Sequence, residues 1–118
     1  MTLSTNEIRI RATKFAEDWK DAHYERGETQ SFYNDFFEMF GIKRRSVATY
    51  ERQVKKLNNN KGFIDLFWPK VLLIEQKSEG RDLKKAMEQA DEYFLELDEI
   101  LRPRHILACD FQNFHLVD

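Results

Sequence analysis

Asp65 and Glu75 each interrupt an apolar run that otherwise reads as buried strand, Gly62-Phe63-Ile64-Asp65-Leu66-Phe67-Trp68 and Val71-Leu72-Leu73-Ile74-Glu75-Gln76-Lys77. A lone charge in such a setting is costly unless it is paired or bound to a metal. Strand alternation puts Val71, Leu73, Glu75 and Lys77 on one face, and Leu72, Ile74 and Gln76 on the other. Two carboxylates on one face, with a backbone carbonyl such as that of Gln76, make a hard oxygen site suited to Mg²⁺, with Mn²⁺ as a substitute. Such an ion polarises a phosphate ester and acidifies a bound water. Lys77 could orient that water or offset the charge that grows on the phosphate.

Asp65 joins this face only if the hairpin register is right, because directly paired residues of antiparallel strands share a face. A two-residue turn at Pro69-Lys70 pairs Asp65 with Ile74 and sends it to the far side. A three-residue connection, Trp68-Pro69-Lys70, or a bulge brings Asp65, Glu75 and Lys77 together. The chemistry therefore demands an odd connection. The bare string of an Asp followed by Glu-x-Lys recurs by chance in chains of this size, so its placement inside consecutive strands carries the weight. The plain alternative is a Glu75–Lys77 ion pair at a sheet edge.

The elements around this hairpin follow from periodicity. Ser4-Thr5-Asn6-Glu7 has capping-box spacing, and Ile8, Ala12, Phe15 and Trp19 recur at helical period, which predicts a helix to about Ala22. His23 to Gln30 reads as a loop around Gly27. A second helix buries Phe32, Phe36, Phe37 and Phe40 and stops at Gly41. Val47 to Lys56 suits either helix or strand, with strand the better fit. Asn58 to Gly62 is turn chemistry, and Ser78 to Asp82 is a loop. Leu83, Ala86, Met87, Ala90, Phe94, Leu97 and Leu101 form one helical stripe, with Pro103 beyond its end. His105–Cys109 and Phe114–Val117 read as two closing strands joined by a turn near Gln112-Asn113. The order predicts an α/β domain with a mixed β-sheet flanked by helices.

Length and composition set bounds. The 118 residues include ten Phe and a single cysteine, enough for one domain with one core and too few cysteines for a disulfide or a thiolate cluster. No apolar run reaches membrane-span length, and the first residues lack the pattern of a secretory signal. A soluble, reducing, cytoplasmic setting is expected. The formal charge of −2 argues against an autonomous, tight DNA binder, since such domains carry a basic surplus. His23, His105 and His115 lack ligand spacing, Cys109 reads as a small buried side chain, and Ser46 has no base nearby. Lys43-Arg44-Arg45 could touch phosphate, but a short basic run is usually a solvated surface.

Gln89 and Tyr93 lie four apart, adjacent on one side of the third helix and beside its apolar stripe. They could reach over the sheet towards a nucleotide or a catalytic side chain. The bland alternative is a boundary tyrosine with a solvent-facing glutamine. Asp65 with Glu75-Gln76-Lys77 matches the D…ExK signature of PD-(D/E)XK nucleases, and Gln89-x-x-x-Tyr93 matches the QxxxY motif of their RecB-like branch; Ile64 stands where the usual proline would be. Asn6-Glu7-Ile8-Arg9, Asn34 to Gly41, Gly62 to Pro69 and Cys109-Asp110-Phe111-Gln112 resemble the N-terminal region of MmeI-like restriction–modification enzymes.

That resemblance implies a restriction-endonuclease-like (PD-(D/E)XK) fold over residues 1–118, as the nuclease part of a longer bacterial protein. It implies catalytic Asp65, Glu75 and Lys77, with Gln89 and Tyr93 in support. The implied metal ligands are Asp65, Glu75 and the Gln76 carbonyl, and Glu25 or Glu28 would be a minor acidic contact. The implied partners are double-stranded DNA and the methyltransferase and target-recognition domains of the same chain, with pairing of two copies on DNA an open option. No Asn-Pro-Pro-aromatic motif or glycine-rich loop for S-adenosylmethionine occurs in this chain, so that cofactor would belong to the other domains. Two rival functions are a non-catalytic DNA-contacting or assembly domain and a RecB-like repair exonuclease.

Overall fold

Ser4 caps the first helix as its spacing requires, its hydroxyl accepting the Glu7 N–H at 3.1 Å. The computed structural model describes residues 3–22, 25–55, 61–78, 80 and 83–118. Helix α1 spans Thr5–Asp18, and α2 spans Glu25–Met39. A short α3 (Arg44–Val47) leads into β1 (Thr49–Lys55), followed by β2 (Lys61–Trp68) and β3 (Leu72–Gln76). Helix α4 (Leu83–Glu96) and a 3₁₀ turn (Glu99–Leu101) precede β4 (His105–Cys109) and β5 (Phe114–Val117).

The five strands form one sheet in the order β1-β2-β3-β4-β5. All neighbours are antiparallel except β3 and β4. That parallel pair needs a crossover, and α4 supplies it. The result is a mixed α/β architecture, as the element order predicts.

Helices lie on both sides of this sheet. Phe32, Tyr33 and Phe37 of α2 pack with Leu66, Ile74, Leu107 and Cys109 in one buried cluster. Ala90, Tyr93 and the nearby Leu97 pack with Val54, Ile64, Phe67 and Leu73 in another. Adjacent residues such as Leu73 and Ile74 enter different clusters, as strand alternation dictates. Each fully buried large apolar side chain is worth about 1.5–3 kcal/mol, so both helices are held mainly by this burial.

Several expectations shift. Helix α1 ends at Asp18, with Trp19 as its cap residue, four residues short of Ala22. The predicted loop His23–Gln30 is instead the start of α2, from Glu25 onward; residues 23 and 24 lie outside the described part. The polar, glycine-containing sequence hid this turn because its anchoring aromatics all come later, from Phe32. Val47 ends α3 rather than beginning a strand. Phe40 falls just past α2 and is 39% exposed; it lines an apolar hollow of about 400 Å³ with Phe36, Trp68, Phe114 and Leu116. The long stripe predicted to Leu101 breaks after Glu96, and the 3₁₀ turn carries Leu101 back to the core. The turn expected at Asn58 to Gly62 falls mostly on residues 56–60, outside the described part, as do residues 79, 81 and 82 of the loop before α4.

Gly41 has φ +76°, and a Cβ there would meet the Leu3 side chain at 3.0 Å, so glycine is required at this helix end. Among the described residues no helix is long and apolar enough to cross a membrane.

Candidate active site

The β2–β3 register decides whether the acids meet. Leu66 pairs with Ile74, Phe67 with Leu73 and Trp68 with Leu72. The connection is therefore three residues, Pro69-Lys70-Val71, rather than Trp68-Pro69-Lys70. Its parity is the odd one the chemistry requires, and continuing the register sets Asp65 opposite Glu75. Lys70 makes the turn possible by adopting φ +71°. Its N–H donates to the Leu101 carbonyl at 3.1 Å, and its own carbonyl accepts from Arg104 N–H at 3.3 Å.

Beyond Leu66 the backbone ladder gives way to side chains. Asp65 N–H donates to Glu75 Oε1 at 3.2 Å, and Gln76 N–H donates to Asp65 Oδ2 at 2.8 Å. Each carboxylate thus accepts the N–H that a strand carbonyl would have taken. Strand β1 is distorted at the same level: its register passes from Tyr50↔Leu66 to Arg52↔Ile64, and the intervening Glu51 has φ +52°. Ile64 and Leu66, which simple alternation would place on one face, enter different core clusters. Asp65 sits at this local twist, where the ladder skips the Glu51–Asp65 pair without changing register.

Burial and charge make the pair unusual. Glu75 is 2% exposed. Burial first, and the Asp65 carboxylate second, push its carboxyl up to about 9, against smaller opposing pulls from the Asp65 N–H and Lys77. In the absence of a cation the fork therefore holds a proton at neutral pH.

The donor set fits a hard divalent ion. Lys77 N–H donates to the Cys109 carbonyl of β4 at 2.8 Å. Across a planar trans peptide the preceding carbonyl points the opposite way. The Gln76 carbonyl is thereby directed to the β2 side, where the two carboxylates lie. Mg²⁺ is commonly held by one or two carboxylates, its other positions being left to water and phosphate. Among the described residues no cluster of three or more His, Cys, Asp or Glu side chains forms a fuller cage.

Lys77 reaches α4. Its ammonium donates to Gln89 Oε1 at 3.2 Å, and Gln89 Nε2 donates to the Tyr93 hydroxyl at 2.7 Å. Tyr93 is 2% exposed and packs in the core under α4, so the relay stands on a fixed base. Gln89 contacts a candidate catalytic side chain rather than solvent alone. No ion pair joins Glu75 to Lys77 among the described residues.

Sequence reasoning valued Gln76 for its carbonyl and missed its side chain. Gln76 is fully buried on the α2 side of the sheet, where its Oε1 accepts the Tyr33 hydroxyl and its Nε2 donates to the Lys77 carbonyl at 3.2 Å. The signal was present: a glutamine at an inward strand position needs polar partners, and Tyr33 is the hydroxyl-bearing member of the aromatic run on α2.

The remaining candidates have other surroundings. Glu28 lies on α2 and is partly buried, while the side chain of Glu25 is outside the described part. Arg44 is committed to Asn34 Oδ1, the Ala48 carbonyl and the Tyr50 ring, so at least one member of the basic run serves as scaffold. Cys109 is buried as expected, and burial pushes its thiol up to about 11. His105 lies 3.2 Å from Asp118 at the other end of β4, and His115 is exposed on β5; His23 is outside the described part.

The motif segments that suggested a family are largely scaffold. Asn34 Oδ1 accepts from Arg44 and Tyr50, Asp35 accepts from the Trp19 indole, and Gln112 donates to the Lys20 and Ala22 carbonyls. No curated protein and no solved structure matches this chain. A family model described as "MmeI, N-terminal domain" matches residues 10–118. With nearly its whole length matched, the chain belongs to the MmeI N-terminal domain family, a restriction-enzyme-associated group.

Proposed function

We propose that the protein is a Mg²⁺-dependent DNA endonuclease domain of the PD-(D/E)XK fold, the cleavage module of a larger restriction–modification enzyme. The observation that carries this reading is the convergence of the Asp65 and Glu75 carboxylates at the β2–β3 fork. Family membership supports the restriction context. Asp65, Glu75 and the Gln76 carbonyl would hold the ion, with Mn²⁺ able to replace it. When bound, the ion supplies Lewis-acid charge at the scissile phosphate and acidifies a water.

The chain's own residues do the rest. Gln89 fixes the Lys77 ammonium, which is then available to orient the attacking water or to meet charge developing on the phosphoryl oxygens. Tyr93 fixes Gln89. Asp65 and Glu75 would hold the ion with Glu75 deprotonated, its proton released to solvent. Water oxygen bonds to phosphorus as one phosphorus–oxygen bond of the DNA backbone breaks; the water's proton passes to solvent, and the leaving oxygen takes one up, giving a phosphate end and a hydroxyl end.

The net charge of −2 fits a domain that leaves the grip on double-stranded DNA to other domains of the full-length protein, which would also carry sequence choice and S-adenosylmethionine-dependent methylation. The test is to replace Asp65 or Lys77 with Ala in that protein and assay plasmid cleavage and methylation together. Cleavage should disappear from both variants while methylation persists. Cutting that survives both changes contradicts the mechanism.

A further inference from the structure

Gln76 links three parts of the molecule. Its side chain accepts from Tyr33 on α2 and donates to the Lys77 carbonyl, and its backbone N–H holds Asp65 Oδ2. The Lys77 N–H is fixed to Cys109 on the other side. The peptide that carries the Gln76 carbonyl is therefore braced by its neighbours on both strands. The side-chain amide is itself anchored on the α2 side of the sheet by Tyr33, beside its bond to the Lys77 carbonyl.

We propose that Tyr33 is a positioning residue for the Asp65–Glu75 site, acting through the Gln76 side chain to fix the end of β3. The proposal rests on the metal-site reading above. Tyr33 is fully buried, with edge-on ring contacts to Phe32 and Phe36 at 5.0 and 5.9 Å. Its ring cannot swing away without opening the core. The Tyr33 hydroxyl donates to the Gln76 amide oxygen, and its effect on the carboxylates passes through this amide. Without the hydroxyl, the amide of Gln76 loses its anchor on α2, its hold on the Lys77 carbonyl slackens, and the N–H that orients Asp65 is less constrained. Partners of this kind, one step behind the ligands, commonly set metal affinity.

The bland possibility is that Tyr33 and Gln76 contribute stability alone, and two readouts separate it from positioning. Mn²⁺ affinity is measured by titration calorimetry on the folded protein, beside thermal unfolding, for wild type, Asp65→Ala, Tyr33→Phe and Tyr33→Phe/Gln76→Leu. Tyr33→Phe should weaken Mn²⁺ binding about tenfold and lower the unfolding temperature, because it leaves a buried amide oxygen without its donor. The double variant removes that orphaned amide, so unfolding should recover toward wild type while Mn²⁺ affinity stays about tenfold weak.

Wild-type affinity in Tyr33→Phe, with binding lost in Asp65→Ala, overturns the positioning role and leaves the metal site standing. Recovery of both stability and affinity in the double variant also overturns it. Mn²⁺ binding indifferent to Asp65→Ala defeats the metal-site reading and this inference with it.

Discussion

Two neighbouring parts of the sheet bury carboxylates and treat them in opposite ways. In the turn between β4 and β5, Asp110 is 4% exposed. Its Oδ1 accepts the N–H groups of Gln112 and Asn113 at 3.1 and 2.7 Å, and its Oδ2 accepts the Asn113 amide at 3.3 Å. These are local, sequence-adjacent donors, and they use the carboxylate to hold the chain in a tight reversal beside Phe111, which has φ +77°. At the β2–β3 fork, Glu75 is 2% exposed, faces a second carboxylate, and is pushed up to about 9. A buried acid does not by itself mark a site. An acid whose acceptors are left facing another acid does, because a cation resolves that conflict and no local turn can.

The contrast is broken most severely through Asp65 and Lys77. Asp65→Ala or Lys77→Ala should cut the rate of Mg²⁺-dependent cleavage by roughly 10²–10³-fold or more, measured in single-turnover plasmid assays. Asp110→Ala in the same assay should leave the rate per folded molecule unchanged.

Next in size is a pH effect at Glu75. In the metal-free fold this carboxyl keeps its proton up to about pH 9, whereas the unfolded chain releases it near 4.5. The folded state then binds more protons than the unfolded one, so this group's contribution to stability falls as pH rises from about 4.5 to 9 and is flat outside that window. Glu75→Gln should flatten the decline, as read from urea midpoints across the window. Mg²⁺ should flatten it too, because it binds the deprotonated pair. A decline that persists unchanged in Glu75→Gln contradicts the assignment.

Asp110→Ala removes three accepted hydrogen bonds and should destabilise the protein by about 2–4 kcal/mol, with Mn²⁺ affinity intact. Calorimetric melting and titration of one sample check both halves of that statement. Smallest is Gln89→Ala, which frees Lys77 without touching the ligands. Cleavage should fall about tenfold while Mn²⁺ affinity stays at the wild-type value; weakened metal binding would place Gln89 with the ligand set instead.

The fork was legible in the sequence because its signal is a contradiction: Asp65 and Glu75 stand where apolar strands forbid isolated charge. The mixed sheet and α4 were legible through periodicity. The hairpin length was not, because Pro69-Lys70 looks like a two-residue turn, and a lysine in the left-handed region has no sequence signature. The first turns of α2 were hidden by Gly27 and polar neighbours. The Tyr33–Gln76 contact was hidden for another reason: it joins residues far apart in sequence, and only the register of β3 against α2 brings them together. Asp110 stood out in the sequence only within a family-like segment, although its role is local capping that Asp110-x-Gln112-Asn113 could have suggested.

The central claim is that the two acids of the fork share one divalent ion. A crystal soaked in Mn²⁺, with the ion located by its anomalous scattering, tests it most directly. The expected result is one ion at the β2–β3 fork, bound by an oxygen from each of Asp65 and Glu75 and by the Gln76 carbonyl at about 2.0–2.6 Å, with the Lys77 ammonium facing the same cavity. A fork without an anomalous peak, in which Asp65 and Glu75 keep their hydrogen bonds to each other's strands, contradicts it.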